Sequence, residues 1–172
     1  MHKQLLLSAL ILLAACGDIV PATLWAAKDI DPLTADPADI AVRLDLPDAV
    51  AIVPNTATLT LAARKADGTG AEEGFVLDLR DDVLSVAQRD HARLRALQAR
   101  ILDWKDQDPT GTRGSLSVHL EPCRTEGFSR QEGRASVAIR LDEDGAFLPL
   151  VADVPLATLV KDEAWDSLEQ CQ

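Results

Sequence analysis

Basic residues are scarce in this chain. Its 17 lysines and arginines are outnumbered by 28 aspartates and glutamates, which gives a formal net charge of −11 at pH 7. Nucleic-acid backbones bind proteins through clustered positive charge, so this balance argues against a nucleic-acid partner. An acidic surface is also a common means of keeping a protein soluble, and the composition favours that interpretation.

Recognisable catalytic and cofactor motifs are missing as well. The sequence has no phosphate loop, no dinucleotide fingerprint and no His-Glu-x-x-His zinc motif. Ser117, His119 and Glu121 do share one face of a predicted strand, but strand alternation produces such rows freely, and no nucleophile elbow accompanies them. The sequence therefore predicts a solvated sheet face here, with no cofactor and no metal.

The chain also lacks the run of about 20 apolar residues that a membrane-spanning helix needs. The apolar run at its start covers only residues 5–15 and follows Lys3. A short basic region before an apolar run of this length is the layout of a secretory signal peptide. A buried N-terminal helix is disfavoured, because apolar side chains would cover every face of it.

The apolar run ends in Leu13-Ala14-Ala15-Cys16. This tetrapeptide resembles the lipobox of bacterial lipoproteins, Leu-(Ala/Ser)-(Gly/Ala)-Cys, at all four positions. The resemblance implies a diacylglycerol on the Cys16 sulfur, removal of residues 1–15 by signal peptidase II, and acylation of the new N-terminus. Ordinary secretory cleavage after Ala22 is the alternative, because a cut after Ala15 would place a poorly fitting leucine at the −3 position.

Lipidation of Cys16 would fix the protein to a membrane, and stable anchoring takes at least two acyl chains. In many Gram-negative lipoproteins, an aspartate directly after the lipidated cysteine retains the protein in the inner membrane. Gly17 holds that position here, and Asp18 comes one residue later. The resemblance therefore implies the periplasmic face of the outer membrane, with the inner membrane as the less favoured alternative.

The other two cysteines, Cys123 and Cys171, form an even pair in a chain predicted to be exported. Exported proteins fold in an oxidising compartment, so this pair is predicted to form a disulfide that ties the loop after one strand to the extreme C-terminus. Two free thiols are the alternative, which such a compartment disfavours.

Alternating apolar and polar residues predict strands in most of the domain. In one of them, Phe75, Leu77 and Leu79 are expected to point into the core. Asp67-Gly68 and Asp144-Gly145 are typical hairpin turns. The predicted strands lie in residues 39–46, 56–64, 74–80, 115–121 and 134–151.

One long amphipathic helix is predicted between these strands. Ser85-Val86-Ala87-Gln88 fits a capping box at its start, and Asp108-Pro109 fits its end. A short helix at about residues 161–169, with Trp165 and Leu168, is predicted to close the domain. The residues predicted to face the core from the long helix are Leu84, Ala87, His91, Leu94, Leu97, Ile101 and Trp104, with His91 read as a core-boundary residue rather than a metal ligand.

These elements predict a mainly-β α+β fold: an antiparallel sheet or small β-sandwich of about six strands with one long helix packed on it. Residues 1–15 are predicted to be the signal peptide, residues 16–37 the lipidated cysteine and a tether, and residues 38–172 a single globular periplasmic domain. No family is recognised for residues 38–172.

Three arginines, Arg89, Arg93 and Arg100, fall on one side of the predicted long helix. They form either a solvated face paired with nearby acids or a contact strip for an anionic partner such as phospholipid head groups, peptidoglycan or an acidic protein. The loop at residues 121–134 is long for a hairpin and is a second candidate for recognition.

The sequence thus favours a non-enzymatic binding, assembly or structural module of the cell envelope. It would be held by acyl chains on Cys16 and would contact an envelope protein or peptidoglycan. The alternative is a hydrolase or transferase that acts on envelope material through a site without a recognisable motif.

Overall fold

A computed structural model describes residues 31–48, 50–126, 131 and 133–171. The lipobox, Cys16, Ala22 and part of the loop at residues 121–134 lie outside this range. The strands of the described chain are β1 (Ala41–Asp45), β2 (Val50–Ile52), β3 (Thr58–Arg64), β4 (Gly70–Arg80), β5 (Val83–Val86), β6 (Arg113–His119), β7 (Pro122–Arg124), β8 (Arg134–Arg140) and β9 (Leu148–Pro155). The helices are α1 (His91–Gln107), α2 (Leu156–Leu159) and α3 (Asp162–Asp166).

Seven of these strands form one curled antiparallel sheet in the order β6-β3-β4-β5-β1-β8-β9. Strands β2 and β7 pair separately with each other. Helix α1 packs on the large sheet, and the main hydrophobic core lies between them. The predicted mainly-β α+β fold with one long helix is confirmed, and it takes the form of an antiparallel sheet.

The core follows the alternation of the central strands. In β3, Leu59 and Leu61 are buried while the threonines beside them are partly exposed, and in β4, Phe75 and Leu77 are buried on the same side. Three apolar residues of α1 at helical spacing cover this face: Leu94, Leu97 and Ile101. The buried residues, which recur at every second position in the strands and at every third or fourth position in the helix, therefore pack into one core.

The hairpin predicted at Asp67-Gly68 joins β3 to β4 and is confirmed. Gly68 has a φ of 89°, a conformation that favours glycine. Asp67 completes the turn because its carboxylate accepts a hydrogen bond from the Thr69 amide at 2.8 Å. The hairpin predicted at Asp144-Gly145 also forms, between β8 and β9.

The predicted start of the long helix is wrong. Residues 83–86 form β5, which pairs with β4 on one side and β1 on the other, so Ser85 lies in the sheet and caps no helix. Leu84 is buried, but as a residue of this strand and not of the helix. Ala87 precedes a single 3-10 turn at Gln88–Asp90. The alternation of Val83, Leu84 and Val86 fits a central strand, and pairing on both sides outweighs the local capping pattern.

Leu79 is a second correction. It is predicted to face the core but is 45% exposed, because it stands near the end of β4, next to the exposed turn at Asp81 and Asp82. Some elements have no counterpart in the prediction: the short strands β2 and β7, and helix α2. The short C-terminal helix predicted at about residues 161–169 is present as the shorter α3.

Residues 31–37, which the sequence assigns to the tether, are packed against α1. Leu33 is 2% exposed and belongs to the core. The buried amide of Gln98 donates hydrogen bonds to the backbone carbonyls of Pro32 at 2.8 Å and Ala35 at 2.9 Å. The folded unit therefore includes this segment, which carries no strand or helix pattern that would have shown it.

The predicted disulfide between Cys123 and Cys171 is present. It joins β7 to the C-terminal end of the described chain, where the Arg124 amide donates to the Glu169 carbonyl and the Cys171 amide donates to the Arg124 carbonyl. Trp165 of α3 packs with Leu156 and Ala135 in a second, smaller hydrophobic cluster.

Candidate functional site

The polar row of Ser117, His119 and Glu121 lies on the exposed face of β6 and the residues after it. Among the described residues, no hydrogen bond joins these three side chains. Strand alternation alone accounts for their alignment, and this supports the interpretation of the row as a solvated sheet face.

Two arginines of the predicted strip meet at one carboxylate. Glu73 of β4 accepts Arg93 at 3.4 Å through one oxygen and Arg100 at 3.0 Å through the other. Arg89 lies in the 3-10 turn before α1 and not on the helix itself. The structure therefore brings Arg93 and Arg100 together around an internal acid, and an outside anion at this strip would compete with Glu73.

Arg95, the remaining arginine of α1, pairs with the segment before β1. Its guanidinium donates to the Asp36 carboxylate at 2.6 Å. This hydrogen bond, and after it the one from the Ala38 amide, holds the pKa of Asp36 below its ordinary value. The pair fastens residues 31–37 to the helix at the surface, as Gln98 does beneath it.

A buried carboxylate that sequence reasoning missed stands at the start of α1. Asp90 is 6% exposed and accepts hydrogen bonds from the Val76 amide at 3.2 Å and from Arg93 at 2.7 Å. It thus links the 3-10 turn, β4 and α1. No sequence pattern marks it, because its partners lie on another strand and one turn later in the helix.

Replacing Asp90 with alanine is expected to lower the free energy of unfolding by about 2 kcal/mol, because the Val76 amide loses its acceptor and Arg93 loses its closest acid. Chemical denaturation of the variant and the parent measures the difference. Glu73→Gln is the matched control, since that half-exposed acid also pairs with Arg93, and it should cost less than about 1 kcal/mol. Equal losses in the two variants would contradict the role of Asp90.

Two clefts open on the described surface. One, of about 640 Å³, is lined by several acids, among them Asp31, Asp36 and Asp142. The other, of about 520 Å³, lies where β3, β4 and β6 end, and its lining includes Arg64 and Arg113. The two clefts therefore carry opposite charge.

In the part of the chain that the structure describes, no group of His, Cys, Asp and Glu residues is arranged to hold a metal ion. His91, read from the sequence as a core-boundary residue, is half-buried, and its Nε2 lies 2.9 Å from the Val86 carbonyl. Asp142 and Gly145, in the acidic loop after β8, form a hydrogen-bonded turn.

No helix within the described ranges is long and apolar enough to cross a membrane. Comparison with known proteins found no match for this chain among protein-family models, curated proteins or solved structures.

Proposed function

We propose that this chain is a lipid-anchored protein of the bacterial cell envelope, whose β-rich domain is a non-enzymatic binding or assembly module facing the periplasm. Diacylglycerol on Cys16 would hold it, on the periplasmic face of the outer membrane. An enzyme acting on envelope material is the alternative function.

The observation that carries this proposal is the pairing of the cysteines. The chain has three, and Cys123 and Cys171 are joined to each other, which leaves Cys16 without a cysteine partner. A disulfide is typical of a protein that folds outside the cytoplasm, where lipoproteins also mature. The lipobox resemblance at residues 13–16 and the Cys123–Cys171 disulfide of the structure both support export.

A binding role is supported by what the described surface offers. The polar row on β6 has no hydrogen-bonded base or orienting acid. Both oxygens of the buried Asp90 carboxylate accept hydrogen bonds, from the Val76 amide and from Arg93, and so hold α1 to the sheet. The described surface offers exposed charge and clefts, among them the two described above, for contact with other molecules.

The anchor is tested by growing cells that express the full chain with labelled palmitate. The parent protein should carry the label, and Cys16→Ser should carry none, because only a thiol accepts the lipid as a thioether. Cys171→Ser is the matched cysteine control and should stay labelled. An unlabelled parent, or a labelled Cys16→Ser protein, would overturn the proposed anchor.

The binding role is tested by crosslinking in intact cells. A module that works from the membrane should yield a defined crosslinked product with the parent and lose it with Cys16→Ser. If the parent gives no product and its purified form turns over an envelope substrate, the enzymatic alternative replaces the binding role.

A further inference from the structure

Two arginines of neighbouring strands stand directly opposite one another at one end of the large sheet. The register pairs Arg64 of β3 with Arg113 of β6 on one side and with Gly70 of β4 on the other. Both arginines are exposed. Like charges placed opposite each other on adjacent strands repel, so this pair costs stability unless something neutralises it.

Neither guanidinium forms a salt bridge with a described residue. Of the nine other described arginines, five likewise form no salt bridge with a described residue, and four pair with acids: Arg93, Arg95, Arg100 and Arg134. What distinguishes Arg64 and Arg113 is that they stand directly opposite each other on adjacent strands. Acids outnumber bases 28 to 17, so acidic partners are plentiful in this sequence. An uncompensated arginine pair in such a chain indicates a place for an anion from outside.

The acids nearest in sequence do not neutralise the pair. Asp67 is occupied in the turn, where it accepts the Thr69 amide and lies 3.8 Å from the Lys65 ammonium. Glu72 lines the same cleft, two register rows from Arg64 and opposite Ala62, and so lies on the same face of the sheet. Glu72 is therefore the internal charge with which a bound anion would have to contend.

The space beside the arginines is open. Gly70 completes the register row of Arg64 without a side chain, and Gly114 follows Arg113. The lining of the cleft also includes Ala62 and Ser115, and the hydroxyl of Ser115 is a further hydrogen-bond donor. The cleft is open to solvent, and its volume of about 520 Å³ leaves room for a small group such as a phosphate.

The backbone that carries the two arginines is well fixed. Thr112, next to Arg113, donates from its amide to the Asp108 carbonyl and from its hydroxyl to the Trp104 carbonyl, both at 3.1 Å. On the other strand, the Lys65 amide after Arg64 donates to the Thr69 carbonyl at 2.8 Å. Both guanidinium groups therefore extend from hydrogen-bonded ends of strands, so that binding has to order the two side chains but not the backbone.

We propose that this Arg64–Arg113 cleft binds a phosphate monoester group of an envelope component. Two guanidinium groups offer more donors and more charge than one carboxylate can satisfy. A phosphate monoester carries about two negative charges at neutral pH and three strong acceptor oxygens, so it can bridge both arginines. This inference adds to the proposed binding module the chemical group that it would recognise. It rests on the proposed function only for the source of the ligand, the cell envelope.

The test is calorimetric titration of the full chain in a phosphate-free buffer with non-ionic detergent. The probes are inorganic phosphate and a soluble short-chain phosphatidic acid, with the matching phosphatidylcholine as a zwitterionic control. Arg64→Gln and Arg113→Gln should each weaken binding by about tenfold or more, because each removes a charge-assisted contact. Glu72→Gln should strengthen it, and Arg80→Gln, at the far end of β4, should leave it unchanged.

Binding of both probes that needs both arginines supports a site for the phosphate group itself. Binding of phosphatidic acid alone, lost in either variant, supports a lipid head group as the source. If neither probe binds the parent protein, or if binding persists in Arg64→Gln and Arg113→Gln, the proposal is overturned. Palmitate labelling at Cys16 is unaffected by any of these outcomes, so failure of the site and failure of the anchor are distinguishable.

A stability measurement accompanies the titration. Relief of the repulsion between the two guanidinium groups should leave Arg64→Gln and Arg113→Gln at least as stable as the parent. A weakened site in an equally stable protein then reflects lost ligand contacts. A marked loss of stability in both variants would show that the arginines serve the fold, and it too would overturn the proposal.

Discussion

Replacing Phe75 with alanine is expected to lower the free energy of unfolding by about 3–5 kcal/mol. The side chain is 0% exposed and is among the largest that are fully buried. It stands opposite Leu59 in the register of β3 and β4, in the core that α1 covers. The Arg93 guanidinium lies 5.2 Å from the ring centroid, so the ring also supports the charged residues at the start of α1.

Leu79→Ala is the matched control, because Leu79 lies in the same strand but is 45% exposed. It should change the free energy of unfolding by no more than about 0.5 kcal/mol. Urea unfolding, followed by far-UV circular dichroism, measures both variants against the parent. Equal losses at the two positions would contradict the burial pattern of β4.

Removing the disulfide is expected to cost about 4 kcal/mol in the chain-entropy model, since the bond joins residues separated by 48 positions. The Cys123→Ser and Cys171→Ser double variant should show this loss in urea, and the parent should show the same loss once it is reduced. The matched treatment is reductant added to the double variant, which should change nothing further.

Without the disulfide, the C-terminal end of the chain should unfold first. In addition to the disulfide, two backbone hydrogen bonds hold this end: they connect Arg124 with Glu169 and with Cys171. Trp165 lies half-buried in the small cluster with Leu156, so its fluorescence should shift to longer wavelength on reduction before the main sheet unfolds. An unchanged midpoint of unfolding after complete reduction would show that the bond adds little to the fold.

Much of the fold could be predicted because buried and exposed residues alternate regularly along the central strands. Leu59 and Leu61 of β3 alternate with threonines, and the turn residues Asp67-Gly68 lie where the chain reverses. One face of each such strand is buried, so the sequence alone indicates both the strand and its inward side. The disulfide could also be predicted from the sequence, because only two cysteines remain once Cys16 is assigned to the lipobox.

The boundaries were harder because local and long-range signals conflict. Ser85 and Gln88 have the spacing of a capping box, yet β5 gains hydrogen bonds on both sides by joining β4 and β1. The buried segment at residues 31–37 depends on Gln98, a polar side chain whose partners are backbone carbonyls more than sixty residues away. Such contacts leave no periodic trace in the sequence.

For the candidate sites, too, the local spacing of residues could be predicted from the sequence, but their partners on other elements could not. The arginines of the predicted strip could be seen from spacing, but their shared partner Glu73 comes from β4 and becomes visible only through the packing of α1. Arg64 and Arg113 are 49 positions apart and share a cleft only because β3 pairs with β6. A sequence pattern alone does not reveal a cross-strand pair of this kind.

The central claim is the lipid anchor at Cys16, and the intact mass of the chain isolated from membranes tests it most directly. The account predicts a protein that begins at Cys16, carries diacylglycerol and a further acyl chain on that residue, and retains the Cys123–Cys171 bond. A chain that begins at Thr23 without lipid, or one that keeps residues 1–15, would contradict it.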